Sequence, residues 1–149
     1  MKRINEYKKL FGVEKIIELK ALKTSYRNLV KEWHPDKFQE GDAMRDEAEE
    51  MSRKIIDGYH FLVSIAPETK AINLPEFQET ITNSGIADFH HKGMVLEITY
   101  LDGSTYEYFG VTKQIYMKMV NSDKLNRFAK RAIYPNYIYR KSKRAVEQV

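Results

Sequence analysis

The hydrophobic period changes once along this chain, and that change limits the fold more than any other feature. Up to about residue 65, apolar residues recur every three or four positions, the period of a helix with one buried face. In GMVLEITYLDGSTYEYFGV they alternate singly about Asp102-Gly103, the pattern of two strands joined by a tight turn. Ile4, Tyr7, Leu10 and Phe11 mark a short first helix, stopped by Gly12. Leu19, Leu22, Tyr26, Leu29, Val30 and Trp33 share one stripe and predict a helix over residues 14–33, with Lys20, Lys23, Arg27 and Lys31 on its opposite, basic face. Asp42 is placed to cap a third helix whose first turns hold Asp46, Glu47, Glu49 and Glu50, where negative charge suits the helix dipole. Its apolar stripe is Met44, Ala48, Met51, Ile55, Tyr59 and Leu62. The facing stripes predict an antiparallel helical hairpin closed by the first helix.

Residues 66–83, with Pro67, Pro75 and a string of Thr and Glu, read as a linker holding at most a short packed segment. Beyond it, residues 86–89 add a third strand. Thr112 opens a helix through Ile115, Tyr116, Met119 and Val120, and Leu125, Phe128, Ala132 and Ile133 mark another. The expected class is therefore α+β: an all-α three-helix unit over residues 1–65, the linker, and a small antiparallel sheet-and-helix unit over residues 84–149.

Composition removes several functions. No apolar run approaches the roughly twenty residues a membrane span needs, and MKRINEYKKL lacks the apolar centre of a secretory signal, so no membrane partner and a cytoplasmic location are expected. The absence of cysteine excludes disulfides, thiol catalysis and cysteine-ligated zinc. No Gly-rich phosphate loop, nucleophile-base-acid set or paired carboxylates stand out, and no cofactor is expected. His90 and His91 are adjacent and would point to opposite faces of a strand, which gives no reason to expect a metal. Charge is unevenly placed: residues 121–149 hold eight Lys or Arg against Asp123 and Glu147. Such a basic end suits phosphate or another acidic surface, although a solvated tail is the commoner explanation.

The second helix runs into KEWHPDKF, Lys31 to Phe38. Pro35 cannot continue a helix and disfavours helical geometry at His34, so these residues could be punctuation alone, with Asp36 capping a turn. They could also form a contact site. Pro35 fixes the backbone and lowers the ordering cost of binding; Asp36 offers a carboxylate for bidentate pairing with a partner arginine; His34 donates or accepts. The flanking sequence favours the second reading. Tyr7, Leu10, Gly12 and Val13, then SYRNLVKEWHPDK, then IIDGYHFL, in that order over about residues 1–65, resemble the J-domain of DnaJ-type co-chaperones. The resemblance implies that His34, Pro35 and Asp36 engage a DnaK-type heat-shock chaperone and trigger its ATP hydrolysis. Lys23, Tyr26, Arg27 and Lys31 would dock on the chaperone's acidic surface, and the catalytic groups would be the chaperone's, so that the resemblance implies a chain that is no enzyme. The chain departs from the pattern at Glu32, where a basic residue is usual, and at Ser52, which replaces a core Phe that Met51 would have to substitute. A fourth helix with a QKRAA-like segment, a Gly/Phe-rich region and a zinc-finger module are not expected.

The stretch from about Ser84 to Arg140 resembles the KTSC domain, a short module with a central Tyr-x-Tyr, here Tyr106 and Tyr108. It occurs alone or at the end of some lysyl-tRNA synthetases, and RNA binding has been suggested for it. Leu125 stands where many members have Gly. One residue of loop length decides what the tyrosines do. A two-residue turn pairs Leu101 with Ser104 and leaves both rings on the polar face, where aromatics among cations stack bases. A three-residue turn with a bulge at Gly103 pairs Tyr100 with Ser104, sets Tyr106 opposite Ile98 and Tyr108 opposite Leu96, and carries both rings into the core. Arg127, Lys130, Arg131 and Arg140, with Lys141, Lys143 and Arg144, are the candidate phosphate contacts. The expected function is a co-chaperone adaptor whose C-terminal module selects a target; the alternative is a nucleic-acid-binding protein, RNA being the candidate, in which the J-domain is structural only.

Overall fold

The computed structural model describes residues 2–142; Lys143, Arg144 and the rest of the expected basic tail lie outside the described residues. Contacts divide the chain into two compact units, Lys2–Ala71 and Ile72 onward. Helices occupy the N-terminal part and an antiparallel sheet the C-terminal part, an α+β arrangement.

The first unit contains α1 (Lys2–Leu10), α2 (Leu19–Trp33), a 3-10 turn (Pro35–Lys37), α3 (Ala43–Ile65) and the beginning of α4 (Pro67–Asn83). Just beyond α1, Gly12 turns to a φ of +70°, a conformation that costs a glycine little. α2 starts at Leu19 rather than near residue 14, because Ile17 is buried from the preceding loop and the Leu19 N–H donates to Glu68 Oε1 at 3.3 Å. Asp42 caps α3 as its sequence indicates, its Oδ1 accepting from the Met44 N–H at 2.9 Å. The buried side of α3 is Ala48, Ile55, Gly58, Phe61, Leu62 and Ile65, whereas Met44 is exposed.

Tyr7 of α1 and Phe11 just beyond it pack against α3 at Gly58. A Cβ there would stand 2.8 Å from Tyr7 Cδ1 and 3.0 Å from Phe11 Cε2. Gly58→Ala adds about 1 kcal/mol of helix propensity, but overpacking at such a contact costs about 1–3 kcal/mol. Denaturant unfolding should therefore show a net loss of about 1 kcal/mol, although an alanine replaces a glycine inside a helix.

The expected linker is corrected by α4, a helix of 17 residues. Pro67 occupies its first turn, where a missing N–H breaks no helical bond, and Pro75 removes one bond without ending the helix. Leu74, Phe77 and Ile81 all pack into the core of the second unit. A fourth helix thus follows α3 after all, though it carries no QKRAA-like sequence.

The second unit is a four-stranded sheet in the order β1 (Ile86–Lys92), β2 (Val95–Tyr100), β3 (Thr105–Phe109) and β4 (Ile138–Lys141), with every neighbouring pair antiparallel. Between β3 and β4 lie α5 (Lys113–Val120), capped by Thr112, and α6 (Leu125–Phe128), which widens into a π-helical turn at Ala129–Ile133. The core joins Leu96, Ile98 and Tyr100 of β2 to Tyr106 and Tyr108 of β3, with Phe77, Met119, Ile133 and Tyr139 packed against them.

Asp102, in the turn between β2 and β3, staples that turn to the end of α4. Its Oδ1 accepts from the Ser104 N–H at 2.9 Å and from Ser104 Oγ at 2.6 Å, and its Oδ2 accepts from Thr80 Oγ1 at 2.9 Å. Partial burial alone would raise the Asp102 pKa, but the hydrogen bonds from Ser104 and Thr80 outweigh it and hold the carboxyl below its ordinary value. The folded pKa therefore lies below the unfolded one, so this contribution is complete above the usual aspartate range and is lost as pH falls through the lowered value. Below about pH 4 the wild-type melting temperature should fall more steeply than that of Asp102→Asn, and the two slopes should match near neutrality.

Candidate functional site

His34, Pro35 and Asp36 form a short rigid corner at the end of α2. The His34 backbone is extended (φ −62°, ψ 126°), Pro35 opens the 3-10 turn, and the Lys37 and Phe38 N–H groups close it on the carbonyls of His34 and Pro35, each at 3.0 Å. His34 Nδ1 accepts from the Asp36 N–H at 3.2 Å. The same nitrogen lies 3.6 Å from Asp36 Oδ2. The Asp36 side chain is 82% exposed. A carboxylate this open to solvent, on a backbone held by proline and two turn hydrogen bonds, is arranged to accept a cation from another molecule.

Lys23, Arg27 and Lys31 are exposed along α2, together with Lys20, and among the described residues none of the four forms an ion pair. At about 1.5 Å per residue, Lys23 to Lys31 spans roughly 12 Å of a positive ridge leading to the corner. Tyr26 differs from the others: it is half-buried and its ring stacks on Tyr59 at 4.2 Å, so part of its surface holds α2 to α3. On the far side of the corner, Arg45 Nη1 donates to the Phe38 carbonyl at 3.2 Å, a contact the sequence did not reveal.

In the second unit the hairpin register settles the position of the tyrosines. The Tyr100 N–H donates to the Ser104 carbonyl at 2.8 Å, Gly103 takes a φ of +89°, and Ile98 and Leu96 stand opposite Tyr106 and Tyr108. This is the three-residue turn with its bulge. Residues 82–137 match the family model of the KTSC domain. The match begins two residues before the expected start at 84 and ends at 137 rather than 140, short of β4.

Two rings from outside the KTSC match close its tyrosine face: Phe77 of α4 and Tyr139 of β4 stack at 3.8 Å, and Phe77 meets Tyr106 edge-on at 5.0 Å. Tyr106 and Tyr108 are 2% and 0% exposed, and Tyr108 Oη lies 2.7 Å from Tyr100 Oη. Burial raises the pKa of Tyr106 to about 12 and pushes Tyr100 and Tyr108 well above the usual phenol range. Of the two placements the turn allows, the buried one holds, and Tyr106 and Tyr108 as candidate nucleic-acid contacts are corrected: they are core residues, placed inward by one bulged residue and covered by α4. Arg140 is not available to a phosphate in the manner expected either, because its Nε pairs with Glu107 Oε1 at 3.1 Å and its guanidinium lies 5.5 Å from the Phe109 ring. Arg127, Lys130 and Arg131 remain exposed on α6 and the π-helical turn. His91 Nε2 lies 2.6 Å from the Val111 carbonyl and its ring stacks on Tyr116, while His90 faces Glu97 at 3.8 Å on the opposite side of the strand.

The chain is also similar to chaperone proteins DnaJ. It is 32% identical over 87 residues to those of Thermotoga sp. (strain RQ2) and Thermotoga maritima, covering 53% of this chain and 22% of each relative. Over 83 residues it is 32% identical to that of Thermotoga petrophila, covering 50% of this chain and 21% of the relative. The chain thus spans about a fifth of the length of the curated relatives it matches. Among the described residues no helix is long and apolar enough to cross a membrane.

Proposed function

We propose that this protein is a DnaJ-type co-chaperone: Asp36, presented by the His34-Pro35 corner, binds a DnaK-type chaperone and stimulates its ATPase, with Lys23, Arg27 and Lys31 steering the encounter and the C-terminal unit selecting a target. The observation that carries this reading is the 82% exposed Asp36 carboxylate on a fixed corner at the end of a positive ridge. The hydrolytic groups are then the chaperone's, and this chain needs no catalytic centre of its own. A positive ridge meeting an acidic surface accelerates association and makes it salt-sensitive. Similarity to DnaJ proteins over half the chain supports the same reading. Nucleic-acid binding loses its aromatic platform with the burial of Tyr106 and Tyr108. The direct test is the single-turnover ATPase rate of a purified DnaK-type chaperone at increasing concentrations of this protein. A saturable rise that weakens with salt is expected; a flat response would remove the proposal.

A further inference from the structure

Arg45 stands at the third position of α3, after the Asp42 cap. An acidic or Gln side chain is favoured there, because it can reach back to the cap's N–H and complement the positive helix end. A cation at that position is unfavourable for the helix alone. The Asp42 N–H is instead taken by the Gln39 carbonyl at 3.0 Å. Arg45 faces the loop: Nη1 donates to the Phe38 carbonyl at 3.2 Å, while Nε lies 3.7 Å from Glu49 Oε1, one turn on. Glu49 thereby places a counter-charge beside Nε, while Nη1 reaches the Phe38 carbonyl just past the corner. Its side chain is 30% exposed, so this contact is more sheltered from water than the Asp36 corner it supports.

We infer that Arg45 is a positioning residue: held by Glu49, it braces the Phe38 carbonyl and so keeps the Pro35–Lys37 turn in the conformation that presents Asp36. As a contribution to chaperone stimulation this rests on the proposed function; as a brace it stands on the geometry of the free protein. A lysine cannot replace it, because a single ammonium lacks the fork that reaches Glu49 and Phe38 together.

The test compares wild type, Arg45→Gln, Arg45→Lys and Glu49→Gln by backbone 15N relaxation of the full chain. Arg45→Gln should keep the wild-type melting temperature, because the helix loses an unfavourable charge. The order parameters of Lys37, Phe38 and Gln39 should fall from about 0.85 toward 0.6. Arg45→Lys and Glu49→Gln should fall between. In the ATPase titration, Arg45→Gln should raise the half-maximal concentration about fivefold and leave the plateau rate, since a looser corner must be ordered on binding. Unchanged order parameters in Arg45→Gln would overturn the brace. If wild type itself gives no ATPase response, the functional reading falls, while the relaxation data still decide whether Arg45 holds the turn.

Discussion

Asp36→Asn is expected to leave the melting temperature unchanged and to lower stimulation of a DnaK-type chaperone's ATPase tenfold or more. The carboxylate makes no contact that the fold requires. Its side chain is 82% exposed, and the hydrogen bond to His34 is made by the backbone N–H of residue 36, which asparagine keeps. What asparagine lacks is the charge and one acceptor of a bidentate pair. Losing one partner of a hydrogen-bonded charge pair at an interface costs about 2–5 kcal/mol, and every 1.4 kcal/mol is a factor of ten. A variant that melted several degrees lower would mean that Asp36 has a structural task. A variant that stimulated as well as wild type would remove the carboxylate from the mechanism.

The second large effect lies in the other unit. Tyr108→Ala should reduce its stability by about 3–5 kcal/mol, the usual result of emptying a fully buried aromatic site. The phenol is enclosed by Phe77, Tyr134 and Tyr139, and its hydroxyl is bonded to that of Tyr100. Were Tyr108 a surface platform for bases, the same change would lie within about 0.5 kcal/mol in the free protein. Denaturant unfolding followed by near-ultraviolet circular dichroism separates the two. An alkaline titration gives a second reading. Tyr106, raised to about 12 from an ordinary value of 10.0, contributes stability that is complete below pH 10.0 and is lost as pH rises through about 12. Its phenolate absorbance should therefore appear late, together with unfolding.

How far the sequence revealed this fold varies from element to element. The helical period located α1 and α3, and alternation about Asp102-Gly103 located the hairpin, because each stretch buries one face and must carry the matching period. α4 is hidden in the sequence because Pro67 and Pro75 resemble breaks. Yet Leu74, Phe77 and Ile81 lie three and four residues apart, and proline is at home in a first helical turn. β4 is four residues long with Tyr139 alone buried, too short to show alternation. The tyrosine face turned on one residue of loop, which Gly103 at a φ of +89° decides. For the site, the exposed carboxylate after a proline and the basic ridge before it were visible as spacing. The brace from Arg45 was not, since its acceptor is a backbone carbonyl that any residue at position 38 would supply.

The central claim is that the corner at His34–Asp36 is a surface for another protein. The most direct measurement is an amide chemical-shift map of 15N-labelled protein titrated with an ATP-loaded DnaK-type chaperone. The account predicts shifted or broadened signals at Asp36 and Lys37 and along Lys23, Arg27 and Lys31, with the sheet unaffected and the footprint fading as salt rises. A footprint confined to the sheet and α6, or none at equimolar chaperone and low salt, would contradict it.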